Sequence, residues 1–154
     1  MASTSETLAH RLERARLTFD VDLAKGGRYI AVVLALKDTN LVDRIGKTSC
    51  DWSGGASAYM SAVDVDEKWR RKGGALLMVH TLVGFLRSKG VGELRMLCEG
   101  SGTVQICTML VGRENCIYSV AGVDIDYEEA VHIMDVRFGY TRLNMNLRGS
   151  CDVL

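Results

Sequence analysis

The sequence contains no proline, only three histidines and no excess of charge of either sign. Without proline the chain has no stiff, extended linker of the kind that holds domains apart. Nineteen basic and nineteen acidic side chains cancel. No global field therefore draws the protein toward nucleic acid or anionic lipid, and any anion site must be local. That balance argues against a polynucleotide substrate. Residues 1–6 lack the basic and apolar regions of a signal peptide, and no apolar run approaches the roughly 20 residues of a spanning helix. A cytoplasmic protein with no membrane partner is expected. The five cysteines, Cys50, Cys98, Cys107, Cys116 and Cys151, contain no Cys-x-x-Cys pair and are odd in number. This fits a reducing compartment and leaves no legible zinc site, so no metal is expected. They read as small buried hydrophobes. Cys107 or Cys116 as a nucleophile would need a base nearby, and His10, His80 and His132 are all distant in sequence.

What is present is enough for one compact unit. At 154 residues and 47% hydrophobic content, the chain can bury a sizeable core as a single domain over 1–154. Ser3-Thr4-Ser5-Glu6 holds a Ser-x-x-Glu capping box, and Leu8, Leu12, Ala15 and Phe19 follow at helical spacing. They predict an amphipathic first helix lying on a sheet. Residues 29–36 form an apolar run too continuous for a half-exposed strand, which predicts a strand buried on both sides or covered by helices. Residues 37–55 are polar and broken by Gly46, Gly54 and Gly55, as in loops around a weak strand. Residues 56–65 suit a buried strand, 75–89 an apolar helix stopped by Gly90, and 93–99 a further strand.

Between the strand at 56–65 and the helix at 75–89 lies Arg70-Arg71-Lys72-Gly73-Gly74-Ala75. The first turn of a helix leaves N–H groups without partners and carries the positive end of the macrodipole. Two glycines let an anion approach the backbone closely, and three cations supply charge and donors. The segment predicts an anion site. The plain alternative is a solvated basic loop with a favourable helix entry. A nucleotide-binding reading is weaker, because no Gly-Lys-Ser/Thr follows and no magnesium ligand is evident.

The wider frame, Val63-Asp64-Val65-Asp66-Glu67-Lys68-Trp69-Arg70-Arg71-Lys72-Gly73-Gly74-Ala75, with Lys89-Gly90 closing the helix, resembles the central motif of the GNAT N-acetyltransferase superfamily. Arg70, Gly73 and Ala75 stand at the signature positions of Arg/Gln-x-x-Gly-x-Gly/Ala. Glu67 stands where proline is usual. Residues 127–140 look like that family's late helix running into a Gly-aromatic turn at Gly139-Tyr140, with 141–147 as the last strand. The family often has a tyrosine four residues before that glycine, and here the position holds Asp135. Residues 100–126 make a longer interval than usual and are expected to form an added hairpin or helix.

The resemblance implies an α/β (α+β) fold: a GNAT-like central mixed, mostly antiparallel twisted sheet with helices on both faces. It implies acetyl-CoA as cosubstrate. Val63 and Val65 would offer backbone groups to its pantetheine arm, and Arg70, Arg71, Lys72, Gly73, Gly74 and Ala75 would hold its pyrophosphate. The activity implied is N-acetyl transfer to an amine on a small molecule or a protein, and a homodimer is compatible with it. As catalytic groups the resemblance points to Tyr140 and Asp135, with His132 beside them. The strand itself offers Tyr59, Ser61 and Asp64, the last alternating away from the face of Val63 and Val65. The alternative is a catalytically inactive binding or structural module of the same fold, with or without bound CoA. The missing tyrosine speaks for it, and the intact Arg-x-x-Gly-x-Ala spacing speaks against it.

Overall fold

A computed structural model describes residues 17–24, 29–36, 44–65, 73–136 and 140–148. Among them, eight strands form one sheet: β1 (Leu17–Ala24), β2 (Tyr29–Leu36), β3 (Arg44–Asp51), β4 (Ser57–Val65), β5 (Glu93–Cys98), β6 (Cys116–Val120), β7 (Val123–Ile125) and β8 (Thr141–Asn146). Helix α1 (Gly74–Ser88) joins β4 to β5, α2 (Ser101–Val111) follows β5, and α3 (Tyr127–Val136) precedes β8. The strands lie in the order β1-β2-β3-β4-β5-β8-β6-β7. Only β4 and β5 run parallel, and every other neighbouring pair is antiparallel. The mixed, mostly antiparallel sheet expected from the sequence is present.

Alternation along the strands separates two faces. In β5, Leu94, Met96 and Cys98 are buried while Arg95 and Leu97 are exposed, and in β8 Leu143 and Met145 are buried while Arg142 is exposed. All three helices pack on the buried face. Helix α1 presents Leu77, Met78, Leu82, Val83 and Leu86 at three- and four-residue spacing to a core that includes Ile30, Val32, Met60 and Leu94. Burying each such side chain contributes about 1.5–3 kcal/mol. The helix closes where the Val91 N–H bonds back to the Leu86 carbonyl at 3.0 Å, with Gly90 at φ +81, a left-handed turn that glycine adopts without strain.

The sequence expectations fare unevenly. The helix carried as far as Phe19 is overturned at its end, because residues 17–24 pair one for one with β2 as β1. Phe19, Val21 and Leu23 alternate with Thr18, Asp20 and Asp22, and that period of two suits a strand. The rest of that helix, including its capping box, lies outside the described residues. The weak strand in 37–55 is an eight-residue strand, β3, paired on both sides. Residues 100–126 form both a helix and a hairpin, α2 and β6–β7. No helix of the described residues is long and apolar enough to cross a membrane.

Candidate active site

The parallel ladder between β4 and β5 is short. It runs from Ser57↔Glu93 to Met60↔Met96 and stops, although β4 continues to Val65 and β5 to Cys98. A β-bulge marks the break: Ser49 of β3 faces Ala62 while the next residue, Cys50, faces Met60, so Ser61 is the extra residue. Bulges bend a strand and sharpen its twist. Here the bend carries β4 away from β5. The Ser61 hydroxyl is tied to Ser49, with Oγ to Oγ at 2.8 Å and a bond donated to the Ser49 carbonyl at 3.3 Å. That pairing fixes the bulge to β3, on the side away from the opening.

A cleft of about 240 Å³ occupies the divergence, lined among others by Ser61, Val63, Asp64, Leu97, Glu99 and Thr103. Its volume is below that of a typical drug-sized site, so it suits a slender chain better than a bulky group. A Cβ added at Gly46 would meet the Asp64 carbonyl oxygen at 2.8 Å and the Met78 Cε at 2.9 Å. The missing side chain therefore leaves room for Met78 of α1 to pack over β3. Helix α2 begins at Ser101, three residues after β5 ends. Two helix N-termini thus stand at the carboxyl end of the diverging strands, where an α/β sheet binds ligands and where the macrodipoles favour an anion.

Gly73 precedes α1 at φ 87, ψ 6 and supplies no side-chain cap, while its carbonyl accepts from the Leu77 N–H at 3.0 Å. A residue with a Cβ would be strained in this left-handed conformation. Gly74 is buried as the first residue of α1, and Ala75 is half-buried beside it. Val63 is half-buried and borders the cleft, and Val65 packs against the core at the end of β4. Arg70, Arg71 and Lys72 lie outside the described residues. Asp135 and His132 are exposed on α3, and neither borders the cleft. Tyr140 is exposed and directly precedes Thr141, which pairs with Cys98 of β5. It therefore sits at the same end of the sheet as Glu99.

Three cleft residues were missed or set aside in the sequence reading. Asp64 alternates away from Val63 and Val65, as expected, yet it still borders the opening because a cleft at the edge of a strand is reached from both faces. Glu99 and Thr103 were not singled out. A parallel strand pair whose carboxyl ends bind ligand is the signal that could have found Glu99.

The described cysteines behave as small hydrophobes, and Cys151 lies outside the described residues. Cys50, Cys98 and Cys107 are buried and unpaired, and Cys116 is half-buried. Burial pushes the thiols of Cys50 and Cys98 up to about 12, which makes them poor nucleophiles. His80 is half-buried within α1, and its burial lowers its pKa.

No family model matches the chain, and no curated protein resembles it in sequence. Solved structures do resemble its fold. Nourseothricin acetyltransferase superposes with a TM-score of 0.52 at 12% identity, over 86% of this chain and 85% of that one. A GNAT family acetyltransferase from Elizabethkingia anophelis, solved with acetyl-CoA bound, gives 0.53 at 10% identity, over 85% and 98%. The NatC complex bound to Gag peptide and CoA gives 0.51 at 13% identity, over 75% and 70%. At these identities the likeness is one of fold.

Proposed function

We propose that this chain, whose fold is that of the GNAT acetyltransferases, is a single acyl-CoA-binding domain that transfers an acetyl group from acetyl-CoA to an amine. One observation carries the reading: the parallel ladder ends at Met60↔Met96 and opens a cleft lined by β4, β5 and the first turn of α2. A slender thioester-bearing arm fits between the unpaired edges of β4 and β5, where Val63 and Val65 present backbone groups. The pyrophosphate end is assigned to Gly73, Gly74 and Ala75, with Arg70, Arg71 and Lys72 supplying its countercharge.

Acetyl-CoA brings an activated acetyl thioester, and the protein's part is alignment and proton handling. An amine attacks only when neutral, so a carboxylate at the cleft has to take its proton. Asp64 and Glu99 are exposed carboxylates on the two walls, and one of them is the base. The departing thiolate needs a proton in return. Tyr140, at the same end of the sheet as Glu99, is the phenol assigned to give it. The acceptor is an amine on a small molecule or a protein; the fold also occurs in a complex bound to a peptide.

Ligand-dependent thermal unfolding tests the reading. A ligand at a hundred times its dissociation constant adds about 2.7 kcal/mol to the native state. Acetyl-CoA and CoA are expected to raise Tm and ATP to leave it unchanged; no shift with either CoA species would sink the proposal. Ala75→Glu sharpens the test. Ala75 already carries a Cβ in helical backbone, so the change avoids the strain that any substitution at Gly73 would bring. A carboxylate in the first turn is expected to hold or raise apo stability by about 0.5 kcal/mol. It should also weaken acetyl-CoA binding by about tenfold through repulsion of phosphate. Unchanged affinity would place the pyrophosphate elsewhere.

A further inference from the structure

Next to the cleft, on the sheet face that α1, α2 and α3 leave uncovered, lies a larger recess of about 610 Å³. Its lining includes Asp51, Trp52, Ser57, Tyr59 and Arg95. Asp51, Tyr59 and Arg95 form one row across three strands, since Asp51 pairs with Tyr59 and Tyr59 with Arg95. Ser61, where the cleft begins, is two residues further along β4 from Tyr59. The recess therefore ends roughly 7 Å from the cleft along the strand.

The recess carries one charge of each sign, and they differ in their partners. The Arg95 guanidinium is occupied, its Nε bonding the Glu93 Oε1 at 2.5 Å, and Ser57 donates to the same oxygen at 3.2 Å. Asp51 is exposed and has no ion-pair partner among the described residues. Two aromatic residues line the recess with it. Trp52 is half-buried, packs in part against the core, and is held by a 2.8 Å bond from its Nε1 to the Gly55 carbonyl. Tyr59 stands exposed directly across from Asp51. A carboxylate in a recess that Trp52 and Tyr59 also line attracts an alkylammonium group, by direct charge and by cation–π attraction.

Taking the acetyl-transfer reading as its basis, we infer that the acceptor is a diamine: one nitrogen is held as ammonium by Asp51, Trp52 and Tyr59, and the other reaches the cleft at Ser61. The separation between the two places matches a short methylene chain. A monoamine of the same length loses the anchor, and an acceptor with a carboxylate in that position is repelled by Asp51.

Calorimetric titration of the full chain with cadaverine and with n-pentylamine, each with and without acetyl-CoA, tests this. Cadaverine is expected to bind about five- to tenfold more tightly than n-pentylamine. Asp51→Asn should bring the two within about twofold of each other, and Trp52→Ala should narrow the gap by loss of the aromatic wall. Equal affinities in the unsubstituted protein, no binding of either amine, or a preference that survives both substitutions would overturn the assignment. Acetyl-CoA titrated into the same protein separates the two claims. A diamine preference without acetyl-CoA binding would strike the transfer reading alone; acetyl-CoA binding without the preference would strike the diamine alone.

Discussion

Thr108 and Tyr118 meet inside the core, where the Thr108 Oγ1 and the Tyr118 hydroxyl lie 2.6 Å apart and both residues are buried. A buried hydroxyl that loses its partner keeps the cost of leaving water. Tyr118→Phe does that to Thr108. Because a threonine in a helix can turn its hydroxyl to a carbonyl of the preceding turn, the loss is expected to be about 1–2 kcal/mol in denaturant unfolding. Adding Thr108→Val removes the stranded group, so the double variant should recover part of the loss. If the second change adds its own full cost, the two hydroxyls do not depend on each other. The same scale explains Asp64 and Ser61. Neither has an unusual neighbour in sequence, and each matters because of which strand edge the bulge exposes.

The hairpin of β6 and β7 turns through Ala121 and Gly122, at φ 50 and φ 82, with Val120 paired to Val123. Two successive positive φ values are those of a type I′ turn, which favours Asn-Gly. Alanine in left-handed backbone costs about 1–2 kcal/mol. Ala121→Asn is therefore expected to raise stability by about 1 kcal/mol and Tm by a few degrees; an unchanged or lower Tm would argue that the turn adopts another geometry in solution. Elements with a strong local pattern were legible in the sequence. The apolar run of β2, the strand after Gly90 and the apolar helix that Gly90 stops all appear in the structure, as β2, β5 and α1. Elements decided by distant partners were not. β1 was read partly as helix because Phe19 falls at helical spacing from Ala15, and only pairing with β2 settles its form. The bulge at Ser61 leaves no trace in a run of small residues, so the edge that makes Asp64 accessible was invisible. The glycine turn was legible as a helix entry, and Gly73 does take the left-handed conformation that only glycine enters freely.

All the helices described cover one face of the sheet, and the thiols collect under them. Cys50 and Cys98 point into a single core shared with Cys107, and Cys116 lies at its margin. That arrangement ties stability to alkaline pH. Burial raises the folded pKa of Cys50 and Cys98 from 9.0 to about 12 and pushes Cys107 up as well. The folded state therefore keeps these protons where the unfolded chain releases them. Stability from each thiol is complete below pH 9, the unfolded value, and is lost as pH rises toward the folded value. Each contributes a slope of up to about 1.4 kcal/mol per pH unit in that window. The amine acceptor pulls the other way, because an alkylamine, like a lysine side chain at about 10.4, gains its reactive neutral form over the same range. Turnover is thus expected to climb with pH until the fold gives way. Urea unfolding with a reductant present, from pH 8 to pH 11, should show stability level up to about pH 9 and falling beyond it. Cys98→Ala should start lower, because a small cavity replaces the sulfur, yet fall less steeply because one buried proton is gone. The slope decides the matter: if wild type and variant decline in parallel, the alkaline loss comes from other groups and the buried thiols do not control it.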